Sequence, residues 1–293
     1  MTTATTPRQW VQGARPRTLP AAVAPVAAGT GIAYALGAGS VPRALLALLV
    51  SLALQVAVNY ANDYSDGIRG TDADRVGPLR LVGSGTASPG SVRAAAMAAF
   101  GVAAVAGVAL VAVSGTWWLL AVGAAAVLAA WTYTGGRRPY GYLGLGEVFV
   151  FVFFGLVAVL GTTYTQAGRI SWAAVCAATG VGLLACAILV ANNLRDIPSD
   201  TLAGKRTLAV RLGDRATRRL YAAMVVGALL LVLPVAAAHP GALAALAAAA
   251  LAVAPVRTVA GGASGPALVP VLGATGRLEL AYAVLLGTGA ALT

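Results

Sequence analysis

Runs of about twenty apolar residues recur along this 293-residue chain, separated by short segments that hold nearly all of its charge. A helix of that length crosses roughly 30 Å of hydrocarbon. In lipid the backbone must satisfy its own polar groups, which leaves a helical bundle or a closed barrel. Barrel strands read as alternating segments of about ten residues, and the chain has none. The expectation is an all-α polytopic membrane protein, a single bundle over residues 1–293. Nine spans are read near 19–36, 43–61, 92–113, 117–134, 146–164, 171–194, 219–237, 241–258 and 275–292. The eighth is the least regular, since it contains Pro255 and runs into a Gly- and Pro-bearing stretch. No short apolar run with a small-residue cleavage site precedes the first span, so no cleavable signal peptide is expected.

The 20 basic residues outnumber the nine acids, for a formal charge of +11. They are spread over the loops rather than gathered in one domain, which argues against nucleic acid as partner. With the N-terminus in the cytoplasm, all but Arg43 and Arg169 fall on the cytoplasmic side. Positive residues in short loops set orientation, so this separation predicts a cytoplasmic N-terminus and supports the span count. The same topology places all nine acids at cytoplasmic span ends or loops. The two longest connections, near 62–91 and 195–218, are expected to cap that face. Their half-chain spacing suggests a duplicated helical unit.

Six of the nine acids lie in two clusters joined directly to apolar spans. The first contains Asn59, Asn62, Asp63, Asp66, Asp72 and Asp74; the second contains Asn192, Asn193, Asp196 and Asp200. A carboxylate costs roughly 2.5–3.5 kcal/mol at mid-bilayer on insertion scales, so two clusters at span ends point to use. At about 100° per residue, Asn59, Asn62, Asp63 and Asp66 share one side of a helix, which Gly67 and Gly70 end. Asn193, Asp196 and Asp200 share a face if their helix continues. Pro198 leaves open that the two acids bracket a helix end instead. Oxygen donors without His or Cys suit Mg²⁺, which binds through one or two carboxylates plus substrate phosphates. Nearby Arg and Lys205 supply positive charge to the same phosphates. The plainer reading is surface ion pairing between these acids and neighbouring Arg. An ion-coupled transporter is a further alternative, disfavoured because transporter acids lie near the midplane between broken helices.

Asn62-Asp63-x-x-Asp66 with Asp72, and Asp196-x3-Asp200, resemble the two aspartate-rich motifs of the UbiA superfamily of membrane prenyltransferases. Further stretches narrow the likeness: Gly13–Pro25, Gly77–Gly85, Tyr133–Glu147, Val150–Gly155 and Val190–Pro198. They resemble the branch that prenylates 1,4-dihydroxy-2-naphthoate in menaquinone synthesis, of the actinobacterial type. Superfamily members acting on 4-hydroxybenzoate, homogentisate or a lipid glycerol fit these stretches less well. The resemblance implies nine transmembrane helices and a multi-pass protein of the bacterial cell membrane, its active site facing the cytoplasm. Its substrates would be polyprenyl diphosphate and 1,4-dihydroxy-2-naphthoate, with Mg²⁺ as cofactor and CO₂ and diphosphate released. Prenyl chain length and oligomeric state are not readable.

On that reading Asp66, Asp72, Asp196 and Asp200 hold Mg²⁺ and diphosphate, with Asn62 and Asp63 assisting and Asn193 counted among the substrate-binding residues. Asp63 is open to orienting an Arg, and Asp74 to pairing with Arg75. Lys205 and Arg138 are candidates for the diphosphate or the naphthoate carboxylate, or ordinary positive-inside residues. Arg80 is favoured over Arg69 in a loop that makes a natural lid. Tyr133 is either an interfacial anchor or a π-face contact for a cation or ring. Glu147 is read as either a structural partner or part of the aromatic site. His239, the sole histidine, falls on the far side with Trp117 and Trp118, which excludes it from a cytoplasmic site. Cys176 and Cys186 lie about 15 Å apart on one helix, too far to pair.

Overall fold

The computed structural model describes residues 5–70 and 79–293, and among them every regular element is helical. A short helix, Pro7–Gly13, opens the described chain; Thr6 and Gln9 cap it reciprocally. It leads through a bend of 49° into α1 (Pro20–Ala35). There follow α2 (Val41–Ile68), α3 (Pro89–Ser114) and α4 (Leu119–Thr132). The second half comprises α5 (Gly146–Ala167), α6 (Trp172–Leu202), α7 (Asp214–Ala238), α8 (Pro240–Ala260) and α9 (Gly265–Ala291). Local chemistry sets the boundaries. Ser88 and Ser171 cap α3 and α6 with side-chain oxygens, and Gly115 and Gly168 end α3 and α5 in the left-handed conformation.

A helix stands at each of the nine apolar runs. Seven are long and apolar enough to cross a membrane, and the bent pair Pro7–Thr18 with Pro20–Ala35 makes an eighth. α4 is apolar but only 14 residues long, short of the ~20 that span the hydrocarbon. Both motif helices run further than the apolar runs indicate. α2 continues to Ile68 and carries the first cluster through Asp66 on helix. α6 continues through Pro198 to Leu202, so Asp196 and Asp200 stand on one helix rather than bracketing its end. The expected caps near 62–91 and 195–218 are correspondingly shorter.

α6 is the axis of the bundle. In its apolar window 72% lies inside the protein, against 22–44% for the other six long helices. Small residues let its neighbours approach. A Cβ on Gly155 of α5 would sit 2.6 Å from Gly182 Cα of α6, and one on Gly31 of α1 would sit 2.2 Å from the backbone of Gly287 on α9. Close approach of this kind replaces the hydrophobic driving force that is absent between helices in lipid. Residues Phe151–Val157 of α5 wind as a π-helix next to this contact, a distortion found often at functional sites.

One acid is not where the sequence placed it. Glu279 stands in the middle of α9, fully buried, because that helix begins at Gly265, well before the expected start near 275. Among the described residues neither of its carboxylate oxygens has a hydrogen-bond partner. Cys176 and Cys186 are buried and unpaired with each other.

Candidate active site

The motif-bearing ends of α2 and α6 face each other across a cavity of about 220 Å³. From α2 come Gln55, Asn62 and Asp66, and from α6 come Asn192, Asn193, Asp196 and Asp200. Deeper in, Val150 and Phe154 of α5, Ala185, Ile188 and Leu189 of α6 and Leu272 of α9 form an apolar wall. The cavity therefore joins a charged mouth to a lipid-like interior.

Asp66 is the hub of the mouth. It accepts a hydrogen bond of 2.6 Å from Tyr142 Oη, and Arg80 Nη2 and Lys205 Nζ each lie 3.8 Å from its oxygens. Lys205 also sits 4.6 Å from the Tyr142 ring centroid, a cation–π contact. Backbone bonds create this meeting. Lys205 N–H donates to Asp200 O at 2.8 Å, and Arg206 N–H donates to Tyr142 O at 2.9 Å. They tie the turn after α6 to the turn that carries Tyr142. Arg69 donates to the carbonyls of Thr134 and Gly136, holding the next loop in place.

Asp196 is gripped by Arg195, whose Nε and Nη2 donate at 2.6 and 2.7 Å. A carboxylate has about four lone-pair sites, so this fork orients Asp196 without exhausting it. Asn193 Nδ2 donates to buried Glu147 at 2.9 Å, and Asn62 Oδ1 accepts from Thr134 Oγ1 at 2.7 Å.

Of the residues singled out from the sequence, the cavity gathers Asn62, Asp66, Arg80, Tyr133, Asn193, Asp196, Asp200 and Lys205. Asp63 is not on its wall. Its carboxylate is fully buried and accepts the N–H groups of Leu81 and Val82 at 2.8 and 3.0 Å, so it holds the segment that presents Arg80. Arg138 is exposed and off the wall. Asp72 and Asp74 lie outside the described residues.

Sequence reasoning missed Arg15, Thr18, Gln55 and Tyr142, all on the wall. Arg15 is the one described non-glycine residue with positive φ, at 55°. A network fixes that turn. Thr18 Oγ1 donates to Arg15 O and accepts from Gln55 Nε2 and Asn59 Nδ2, and Asn59 also binds Ala14 O. The signal was present, since Gln55 and Asn59 are polar residues one turn apart inside an apolar run. Tyr142 gave no sequence signal that set it apart from Tyr133 and Tyr140. Tyr140 stacks on Phe149 at 3.9 Å and donates to Ala129 O at 2.9 Å; burial pushes its hydroxyl pKa up.

Among the described residues no three acids, histidines or cysteines converge into a ready-made metal cage. Asp66 on one wall with Asp196 and Asp200 on the other do offer hard oxygens to a common space. That donor set fits a Mg²⁺ ion shared with a phosphate ligand, because Mg²⁺ needs only one or two protein carboxylates and keeps other oxygens around it.

The sequence model of the UbiA prenyltransferase family matches residues 22–265. The chain belongs to that family. Within it, a Mycobacterium tuberculosis protein named 1,4-dihydroxy-2-naphthoate octaprenyltransferase is 55% identical over 94% of each chain. An Escherichia coli protein of the same name is 43% identical, over 75% of this chain and 73% of its own. The fold of a UbiA homologue from Archaeoglobus fulgidus, solved bound to DMAPP and Mg²⁺, matches 95% of this chain with a TM-score of 0.68 at 16% identity. UbiA membership and the apolar helices make this a multi-pass membrane protein.

Proposed function

We propose that the protein transfers the prenyl group of a polyprenyl diphosphate to 1,4-dihydroxy-2-naphthoate, releasing CO₂ and diphosphate and giving demethylmenaquinone. The observation that carries this reading is the 55% identity to a relative of that name over 94% of both chains. The cavity supports it, with both aspartate motifs at one end and an apolar wall at the other.

The residues divide the work by chemistry. Lys205, Arg80 and Arg15 bring three cationic groups to the mouth, where the diphosphate leaving group develops charge as the allylic C–O bond breaks. When bound, Mg²⁺ would be held by Asp66, Asp196 and Asp200 and would neutralise part of that charge. The bond's electron pair leaves with the diphosphate. Phe154 and Tyr133 on the wall offer π faces to the allylic cation, and the apolar wall disfavours water beside it. The ring carbon that bears the carboxylate forms the new C–C bond. Loss of CO₂ returns its electron pair to the ring, so no net proton is released. Nine passes with the N-terminus and the cavity mouth on the cytoplasmic side of the bacterial cell membrane complete the reading.

Purified protein in detergent, supplied with dihydroxynaphthoate, a polyprenyl diphosphate and Mg²⁺, is expected to yield a prenylated naphthoquinol; absence of that product sinks the proposal. Asp66→Asn and Asp196→Asn are each expected to lower turnover by a factor on the order of 100. Persistence of activity in both would remove the diphosphate role from these acids.

A further inference from the structure

Two asparagines, one from each motif helix, face the cavity with opposite ends of their amides committed. Asn62 gives its carbonyl oxygen to Thr134 Oγ1 at 2.7 Å, which leaves its N–H₂ group for the cavity. Asn193 gives its nitrogen to Glu147 Oε1 at 2.9 Å, which leaves its carbonyl oxygen. With Oε1 accepting from Nδ2, Glu147 holds the Asn193 amide with its nitrogen towards α5.

Glu147 is anchored by its backbone, while its second carboxyl oxygen, Oε2, has no hydrogen-bond partner among the described residues. The residue is 5% exposed, at the start of α5. Its backbone carbonyl accepts from Cys186 Sγ at 3.1 Å, seven residues before Asn193 and on the same face of α6. The two contacts clamp the start of α5 onto two turns of the central helix. They also give buried Cys186 a structural duty.

The position of the freed oxygen selects its ligand. Asn193 lies one turn deeper than Asp196 and one turn above Leu189, where the charged mouth meets the apolar wall. The diphosphate is an acceptor, served by Arg15, Arg80, Lys205 and the Asn62 N–H₂ group. A carbonyl oxygen would repel it. At this depth the hydrogen-bond donors that the proposed reaction brings are the ring hydroxyls of the naphthoate. We propose that Glu147 is a positioning residue that fixes Asn193 as the acceptor for a ring hydroxyl of the aromatic substrate, and so helps select a phenolic ring. This rests on the reaction proposed above.

The test is steady-state kinetics on the purified full chain. Failure of the unaltered protein to prenylate dihydroxynaphthoate strikes the reaction itself, and this inference with it. Given that activity, Glu147→Leu is expected to raise the naphthoate KM about tenfold, the scale of one lost oriented hydrogen bond. The KM values for polyprenyl diphosphate and Mg²⁺ should stay within about twofold. Glu147→Gln, which keeps a carbonyl for Asn193, should recover most of the naphthoate KM. Should Glu147→Leu fail to fold, a charge swap carries the test. Asn193→Asp sets two carboxylates face to face and should raise the naphthoate KM. Adding Glu147→Gln restores a donor to the new Asp and frees its second oxygen, so the pair should recover. An unchanged naphthoate KM in Glu147→Leu, a shift in the diphosphate or Mg²⁺ KM instead, or a double variant no better than Asn193→Asp overturns the proposal.

Discussion

Two buried carboxylates illustrate how differently the same group is used at the scale of single residues. Asp63 accepts two backbone N–H groups and holds the segment around Arg80. Asp63→Ala leaves both donors unpaired, at about 1–3 kcal/mol for each buried group. It is expected to lower Tm and turnover together, because Arg80 loses its support; a variant with normal Tm and activity would refute this. Glu279 has no partner among the described residues for either oxygen, and it lies off the cavity wall. Glu279→Leu removes an uncompensated polar group from the interior, so its thermal unfolding in detergent should move to higher temperature with turnover retained. A fall in Tm would mean that the carboxyl is satisfied in a way the packing does not reveal.

At the scale of elements, the site depends on how closely α5 lies on α6. Gly155 and Gly182 allow that contact, and the π-helical stretch over Phe151–Val157 includes Phe154 of the cavity wall. A side chain at 155 has nowhere to go, since its Cβ alone would lie 2.9 Å from Ala178 O. Gly155→Leu is expected to cost about 1–3 kcal/mol through overpacking and to depress turnover by moving Phe154. Circular dichroism melts and activity on the same preparation check both effects. The helical register of the first motif was readable from its spacing. The continuation of α6 through Pro198 was not, because proline biases the residue before it against helix and only neighbouring packing overrides that bias. Asp63 and Asp66 show the same limit at finer grain. Both lie in the last two turns of α2, yet one turns to the backbone of residues 81–82 and the other to the cavity.

At the scale of the whole molecule, the asymmetry of basic residues makes a topological prediction. Cys176 and Cys186 are buried, at 3% and 2% exposure, so introduced surface thiols can be read against a silent background. Arg93 and Arg169 are exposed and are assigned to opposite faces. A membrane-impermeant maleimide added to intact cells should label Arg169→Cys and spare Arg93→Cys, and inverted vesicles should reverse the pattern. Labelling of both from one side would break the nine-pass reading. α4, with only 14 residues, is where such a failure would begin.

The sequence by itself determined the class of solvent, the helical architecture and the two acidic clusters, because apolar run length and carboxylate placement answer to hydration, which acts locally on each segment. It also carried the family likeness in its motifs. Only the tertiary structure decided which acids face the cavity and which hold backbone, that Arg15 and Tyr142 join the wall, and that Glu279 is buried. Those choices depend on which neighbour completes each hydrogen bond, and the neighbours come from segments far apart along the chain. Glu147 and Asn193 are 46 positions apart, and Tyr142 and Asp66 are 76. Nothing in the local pattern of a helix records so distant a partner.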